Sequence, residues 1–469
     1  MLKIDTIAAI ATGLTDSGIG IVRISGKNAV EIGDKIFKSP SGKKILKNAV
    51  SHMLYYGFAY DERGGHFIDE VMAVVMHSPR SFTGEDTVEI QCHGGVLVMK
   101  KILEAALRSG ARLAEPGEFT KRAFLNGKVD LSRAEAVMDV IRSQNEYALD
   151  CSVNQLRGAL SNKIKDMRDE ILYETAFIES ALDDPEHYSL EGYGEKLRKK
   201  IITLSNDVKS LIDTAENGRL IQEGIDTVIV GKPNVGKSSL LNCLVGEERA
   251  IVTDVAGTTR DVLRETVRLG DVSLNVVDTA GIRETEDTVE KIGVERALKY
   301  AEIADLVVYV VDASSALDEN DREIASLIGD KRKIILLNKS DLISKVAEED
   351  VENLFADTVK NSDKFSIVKT CFKDGTGMDV FEETIKEMFF QGKIKSSQEI
   401  IITNMRHREA LEEVYQSLLL VQRSIEEGMP EDFYSIDLMD AYTSLGKITG
   451  EEADDDLVEE IFSKFCMGK

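Results

Sequence analysis

The octapeptide "GKPNVGKS", Gly231 to Ser238, holds the residue types that grip a polyphosphate. It follows the apolar run "DTVIV" and opens the run "KSSLLNCL", so it should turn a strand into a helix. In that setting the pattern G-x-x-x-x-G-K-[ST] is a mechanism. Backbone N–H groups of Asn234, Val235, Gly236, Lys237 and Ser238 wrap a β-phosphate at a helix N-terminus. Lys237 reaches the β- and γ-phosphates, the Ser238 hydroxyl ligates magnesium, and Ser239 completes the contacting stretch. Alone, such a match fits an ATPase or a kinase equally well.

Three further segments narrow the choice. "DTAG" (Asp278, Thr279, Ala280, Gly281) closes the run "SLNVV", setting Asp278 behind the magnesium and the Gly281 N–H toward the γ-phosphate. "NKSD" (Asn338 to Asp341) follows "KIILL" and resembles a guanine-reading motif, with Lys339 beside an aspartate, Asp341, that accepts two hydrogen bonds from the guanine edge. Adenine cannot supply both donors. "CFKDG" lies where GTPases carry a Ser-Ala-Lys contact to the base, and it departs by placing Cys371 and Phe372 before Lys373. Between these segments Thr258 or Thr259 of "GTTRD" is suited to close a magnesium shell.

One position resists this scheme. After DTAG a Ras-like enzyme has a glutamine that orients the attacking water, and this chain has Ile282. Two oxygen sources suggest a substitute: the Asn234 side chain, and backbone carbonyls of "TDVAGTT" (Thr253, Asp254, Val255, Ala256, Gly257, Thr258, Thr259). Such ligands suit a potassium ion, which would neutralise transition-state charge as an arginine finger does. For the water, "RETEDTVE" supplies four carboxylates. Glu290 begins a helical pattern and is the first choice, with Asp287 as fallback, against the plain alternative that these acids merely favour a helix start.

These residues need a scaffold. From about 219 to 381 strand and helix patterns alternate, the signature of a doubly wound α/β sheet. Residues 1 to about 120 mix short β-rich runs with one helical stretch ending at Gly110, an α+β pattern. The stretches 121–218 and 382–469 read as helical, with Asp130 as an N-cap. The expected architecture is therefore multidomain: an α+β N-terminal domain, a helical domain in two parts, and an inserted Ras-like α/β G domain of the P-loop NTPase class. The bulk numbers agree, since 469 residues with 43% hydrophobic and 30% charged side chains suit a soluble multidomain protein. Five scattered cysteines and six histidines form no disulfide framework, zinc ribbon or ligand cluster. No apolar run approaches the roughly 20 residues of a membrane span, and a cytoplasmic location is expected. A net charge of -25 repels a phosphate backbone, so any nucleic acid must be met locally or held by a second protein. The basic runs "KSPSGKKILK" and "EKLRKK" read as solvated faces.

Several stretches together resemble the MnmE (TrmE) family of tRNA modification GTPases from end to end. They are "DTIAAIAT", "GIGIVRISG", "SFTGEDTVEIQCHGG", "EPGEFTKRAFLNGKVDLSRAEAV", "GKPNVGKSSLLN", "AGTTRD", "DTAGIRE", "LGKITGE" and "FCMGK". The resemblance implies an N-terminal domain that dimerises and binds a tetrahydrofolate, in the 5,10-methylene or 5-formyl form. It also implies a G domain activated by potassium-dependent dimerisation. The implied partner is an FAD-containing MnmG-type protein, with which a heterotetramer forms. The pair installs an aminomethyl or carboxymethylaminomethyl group on carbon 5 of the wobble uridine, with tRNA held mainly through the partner. Residue by residue, the family pattern gives potassium to Asn234, Thr253, Val255 and Thr258, magnesium to Ser238 and Thr259, and water orientation to Glu290. It gives folate to Arg23, Glu89, Lys128 and Lys469, and a functional role to Cys466. For Cys466 the readings are a nucleophile, a residue placed beside folate with Lys464 and Lys469 near it, or packing of the terminal helix. "ATGLTDSGIG" departs from the family's Pro-Pro-Gly-type turn. The competing function is a ribosome-assembly or RNA-scaffolding switch GTPase, but no G-x-x-G loop in a basic KH-like setting is present.

Overall fold

In "GIVRIS" and "TVEIQC" apolar and other residues alternate, which sends every second side chain to one face of a strand. The computed structural model, which describes residues 5–61, 65–245, 264–277, 303–356, 364–390, 399–453, 455–466 and 468, follows that pattern. Strands β1 (Ile7–Ile10), β2 (Ser17–Ser25), β3 (Phe37–Lys38), β4 (Leu54–Asp61), β5 (His66–Met76), β6 (Thr87–Gly94) and β7 (Arg112–Leu113) form one sheet. Its order is β3-β4-β5-β6-β2-β1-β7. Val22 faces Ile90 and Ile24 faces Val88 across the antiparallel β2–β6 pair. Helices Ala29–Ile36 and Val96–Arg108 cover that face with Ile32, Ile36, Met99 and Ile102. The same register sets Arg23 opposite Glu89, with parity opposite to that of the buried apolar residues.

The motif segments at this end of the chain are tied together by charge. The Arg122 side chain is 4% exposed and bonds Asp5 at 2.5 Å, Glu118 at 3.0 Å and Glu85 at 3.2 Å. Arg112 holds the same Asp5 at 2.7 Å and Glu118 at 2.6 Å. Burial would push the Asp5 and Glu118 carboxyls up, but the arginine bonds outweigh it and hold both below the usual carboxylate range.

Asp130 accepts the Arg133 backbone N–H at 3.0 Å, giving helix Leu131–Arg142 the N-cap its sequence suggests. The long helix Ala159–Asp183 packs on Glu431–Thr449. In the basic run 195–200, Arg198 bonds Glu426 at 2.7 Å and Lys200 bonds the buried Glu174, so this run is paired with acids.

A second sheet contains β8 (Ile225–Val230), β9 (Arg264–Leu269), β10 (Val272–Val277), β11 (Leu306–Asp312), β12 (Lys333–Asn338) and β13 (Phe365–Lys369). Its order is β13-β12-β11-β8-β10-β9, parallel except for the β9–β10 hairpin. "LVVYVV" and "KIILLN" are buried throughout because helices cover both faces of a parallel sheet. Ile334 and Leu336 enter one core, Ile335 and Leu337 the other.

Contacts divide the chain into two units, one of residues 1–138, 155–202 and 413–469, the other of 139–154 and 203–412. The helical stretch expected over 121–218 is thus shared between them. Asn145 fixes the 139–154 segment to the α/β unit through bonds to the Ile221 carbonyl at 3.1 Å and Ser273 Oγ at 3.0 Å. Among the described residues no helix is long and apolar enough to cross a membrane, and no cluster of His, Cys, Asp and Glu forms a metal site.

Candidate functional site

Strand β8 ends at Val230 and the chain reaches helix Lys237–Val245 through the loop predicted to hold phosphates. Asn234 takes a left-handed conformation, φ 61°, which asparagine tolerates better than most side chains. The Val235 side chain is buried in the core beside Leu240, while Asn234, Ser238 and Ser239 are exposed. The loop therefore anchors by one apolar residue and leaves its polar ones accessible. Lys237 Nζ donates to the Gly231 carbonyl at 2.8 Å and the Lys232 carbonyl at 2.7 Å, lying back across the loop it serves.

The end of β12 supplies a link between loops. Asn338 is 4% exposed; its Nδ2 donates to the Val235 carbonyl at 2.8 Å and its Oδ1 accepts the Phe372 N–H at 3.2 Å. One amide thus joins the phosphate loop to the 371–373 loop. Gly236 must lack a side chain because a Cβ there would sit 2.3 Å from Asn338 Nδ2. Lys339, φ 63°, pairs with Asp312 at 2.6 Å at the end of β11. Burial alone would raise the Asp312 carboxyl, and the bonds from Lys339 and Ser314 outweigh it and lower it. The Asp341 side chain is exposed and makes no hydrogen bond or ion pair with a described residue, which leaves both carboxylate oxygens to an incoming base.

The unusual Cys371-Phe372 pair is explained by burial. Both side chains are inside, Phe372 joins the core with Val235 and Leu240, and Cys243 Sγ donates to the Phe372 carbonyl at 3.1 Å. Lys373 is exposed. The loop needs backbone shape rather than Ser and Ala side chains, so apolar replacements fit. Several expected site residues lie outside the described residues. They are Thr253, Asp254, Val255, Ala256, Gly257, Thr258, Thr259, Asp278, Thr279, Ala280, Gly281, Glu290 and Lys469.

A second constellation surrounds Arg23. Its Nε bonds Glu89 Oε1 at 2.7 Å, each side chain 15% exposed, as their facing positions on β2 and β6 dictate. The guanidinium carbon lies 5.8 Å from the Phe82 ring centre and 5.6 Å from that of Phe119, and Nη1 donates to the Gly468 carbonyl at 3.3 Å. Lys128 joins through the loop that carries Phe82, donating to the Pro79 carbonyl at 3.0 Å. The aromatic walls were missed by sequence reasoning, although "SFTGED" and "EPGEFTKR" contain both.

The C-terminal segment is brought here by its own aromatics. Phe462 and Phe465 are buried next to Phe124 and Leu131, and a Cβ at Gly117 would meet the Phe462 carbonyl at 2.5 Å. Cys466 itself is exposed, beyond helix Asp455–Ser463, and its carbonyl accepts the Gly117 N–H at 3.3 Å. Packing of the terminal helix is thus the work of the two phenylalanines and not of the thiol. Lys464, considered as an activator, is bonded to Glu460 at 2.8 Å.

Two family models match: one described as the MnmE helical domain over residues 131–466, the other as the GTP-binding protein TrmE N-terminus over 6–128. Proteins called tRNA modification GTPase MnmE are similar along the whole chain. The one from Lachnoclostridium phytofermentans is 57% identical over 468 residues, covering 100% of both chains. That of Acetivibrio thermocellus is 46% identical with 100% of both covered, and that of Clostridioides difficile 47% identical with 99% of both.

Proposed function

This chain belongs to the MnmE family of tRNA modification GTPases, and from that premise we propose that it is a potassium-activated GTPase serving wobble-uridine modification in the cytoplasm. It works as a homodimer with an FAD-containing MnmG-type partner, and the tRNA is held mainly by that partner. A tetrahydrofolate supplies the one-carbon unit that ends on carbon 5 of the uridine.

The observation that carries the modification half is the docking of the C-terminal segment on the Arg23 constellation. A planar heterocycle with an anionic tail fits a site of two aromatic rings, a carboxylate and cations. Arg23, Glu89 and Lys128, joined by Lys469, would hold it. Gly468 at the Arg23 guanidinium keeps the exposed Cys466 close in sequence to this site. Placement beside the folate is the role we assign to the thiol.

For the GTPase half, support comes from the exposed hydroxyl of Ser238 at a helix N-terminus and the exposed amide of Asn234. The hydroxyl fits a magnesium ligand, shared with Thr259. The Asn234 oxygen fits potassium, completed by Thr253, Val255 and Thr258. When bound, the two cations neutralise charge on the transferring phosphoryl group. Lys237, held by the Gly231 and Lys232 carbonyls, offers its remaining N–H to the phosphates, Asn338 holds the two loops in register, Asp341 reads the base, and Glu290 orients the water.

The decisive experiment compares wobble nucleosides by mass spectrometry in a strain lacking this protein and in the strain with it restored. Loss and recovery of a carbon-5 modification is expected. Unchanged wobble nucleosides would leave the switch-GTPase reading in its place. Turnover of the purified protein should be much faster in potassium than in sodium at equal ionic strength. Equal rates would remove potassium from the scheme.

A further inference from the structure

Lys232 stands at a position that the phosphate-loop pattern leaves unspecified, yet its side chain is among the most constrained in the loop. Its Nζ donates to Asp318 Oδ2 at 3.0 Å and Asp321 Oδ2 at 2.7 Å. Asp321 is 1% exposed, and its other oxygen accepts the Tyr309 hydroxyl at 2.6 Å from the buried centre of β11. The two aspartates form the capping box of helix Glu319–Ile328. Asp318 Oδ1 accepts the Asn320 and Asp321 N–H groups, and Asp321 Oδ2 accepts the Asp318 N–H at 2.8 Å. A capping box is complete without any lysine. The ammonium is an addition, and it comes from the phosphate loop.

The backbone of the same residue gives the addition its meaning. The Lys232 carbonyl, with that of Gly231, accepts from Lys237, the lysine that meets the phosphates. Side-chain anchorage at Lys232 therefore fixes the carbonyls against which Lys237 is held. We propose that Lys232 is a positioning residue for the nucleotide: clamped by Asp318 and Asp321, it holds the entry of the phosphate loop in its receiving shape and sets affinity for guanine nucleotides. The loop wraps the β-phosphate equally before and during cleavage, so the contribution is uniform binding and not transition-state stabilisation. This inference rests on the reading of the loop as a GTP cradle.

A purely structural role is the alternative, in which Lys232 only neutralises the buried Asp321. The two roles separate in a pair of variants. Lys232→Met leaves Asp321 without its counter-charge and lowers stability under either role. Lys232→Met combined with Asp321→Asn removes that charge and keeps both pairings, the amide oxygen accepting the Asp318 N–H and the amide NH2 donating to the Tyr309 oxygen. A structural role predicts that the double variant recovers both thermal stability and affinity. Positioning predicts that stability returns while the Kd for GTP and for GDP stays about tenfold above wild type, ~1.4 kcal/mol. In the full-length protein, steady-state kinetics should then show a raised KM with kcat within about twofold of wild type. Lys232→Arg, which can bridge both carboxylates, should restore affinity. Wild-type Kd in the double variant, or a fall in kcat at unchanged Kd, overturns the proposal. A wild-type protein that binds no GTP would instead defeat the cradle reading itself.

Discussion

Asn338→Ala tests whether the phosphate and base loops act as one body. The substitution removes both bonds of the amide, leaving the Val235 carbonyl and the Phe372 N–H without their partner in a region where Asn338 is 4% exposed. Each unmet buried group costs about 1–3 kcal/mol. Water entering the vacated space favours the lower end, so the tie is worth about 2–4 kcal/mol. Part of this falls on the stability of the α/β unit and part on ordering the cradle when nucleotide arrives. If half falls on binding, guanine nucleotides weaken by roughly 5- to 30-fold. The assay is titration with a fluorescent GDP, paired with a thermal melt of the nucleotide-free protein. The phosphate end of the nucleotide should suffer as well as the base end, so the loss should be similar for GTP and GDP. A lowered melting temperature with Kd within about twofold of wild type would refute the argument, because the amide would then serve folding alone.

Asp341→Asn should transfer preference from guanine to xanthine nucleotides, since the amide turns one acceptor into a donor; competition between GTP and XTP measures it, and retained guanine preference would show that Asp341 does not read the base. The first unit should be acid-sensitive. Asp5 and Glu118 have folded pKa values below their unfolded ones, so their contribution is complete above the unfolded values and is lost as pH falls through the folded ones. Urea melts should show stability level above about pH 5 and declining below about pH 4, and a rise on acidification would contradict the Arg112–Arg122 network. Cys466→Ser should retain GTP turnover and lose tRNA modification; a fully modifying variant would end the functional claim for the thiol.

Local chemistry was legible in the sequence and pairing was not. The 231–238 loop declares itself because its glycines, lysine and serine act within one turn of chain. The alternation in "GIVRIS" marks Val22 and Ile24 as core, but only the β2–β6 register reveals that Arg23 meets Glu89. Cys371 and Phe372 depart from the Ser-Ala pattern of the base loop, and a string of letters does not say which side chains turn inward. Lys232 occupies a position that the phosphate-loop pattern leaves open. Its partners lie at the start of a helix more than eighty residues away, and no spacing rule predicts that meeting.

The division of the chain has a consequence for how it folds. One unit is assembled from stretches that are interrupted by residues 203–412. As a flexible loop, that interruption would cost about 5 kcal/mol to close. Once it is folded, its ends are held at a fixed separation and most of the penalty disappears. A folded α/β unit would thus be a preformed staple for the remainder, and refolding is expected to complete the unit that holds the seven-stranded sheet second, an order that pulse-labelled hydrogen exchange reads directly. A substitution that melts the α/β unit should therefore also lower the stability of the other unit, a weakness inherited through the chain that joins them.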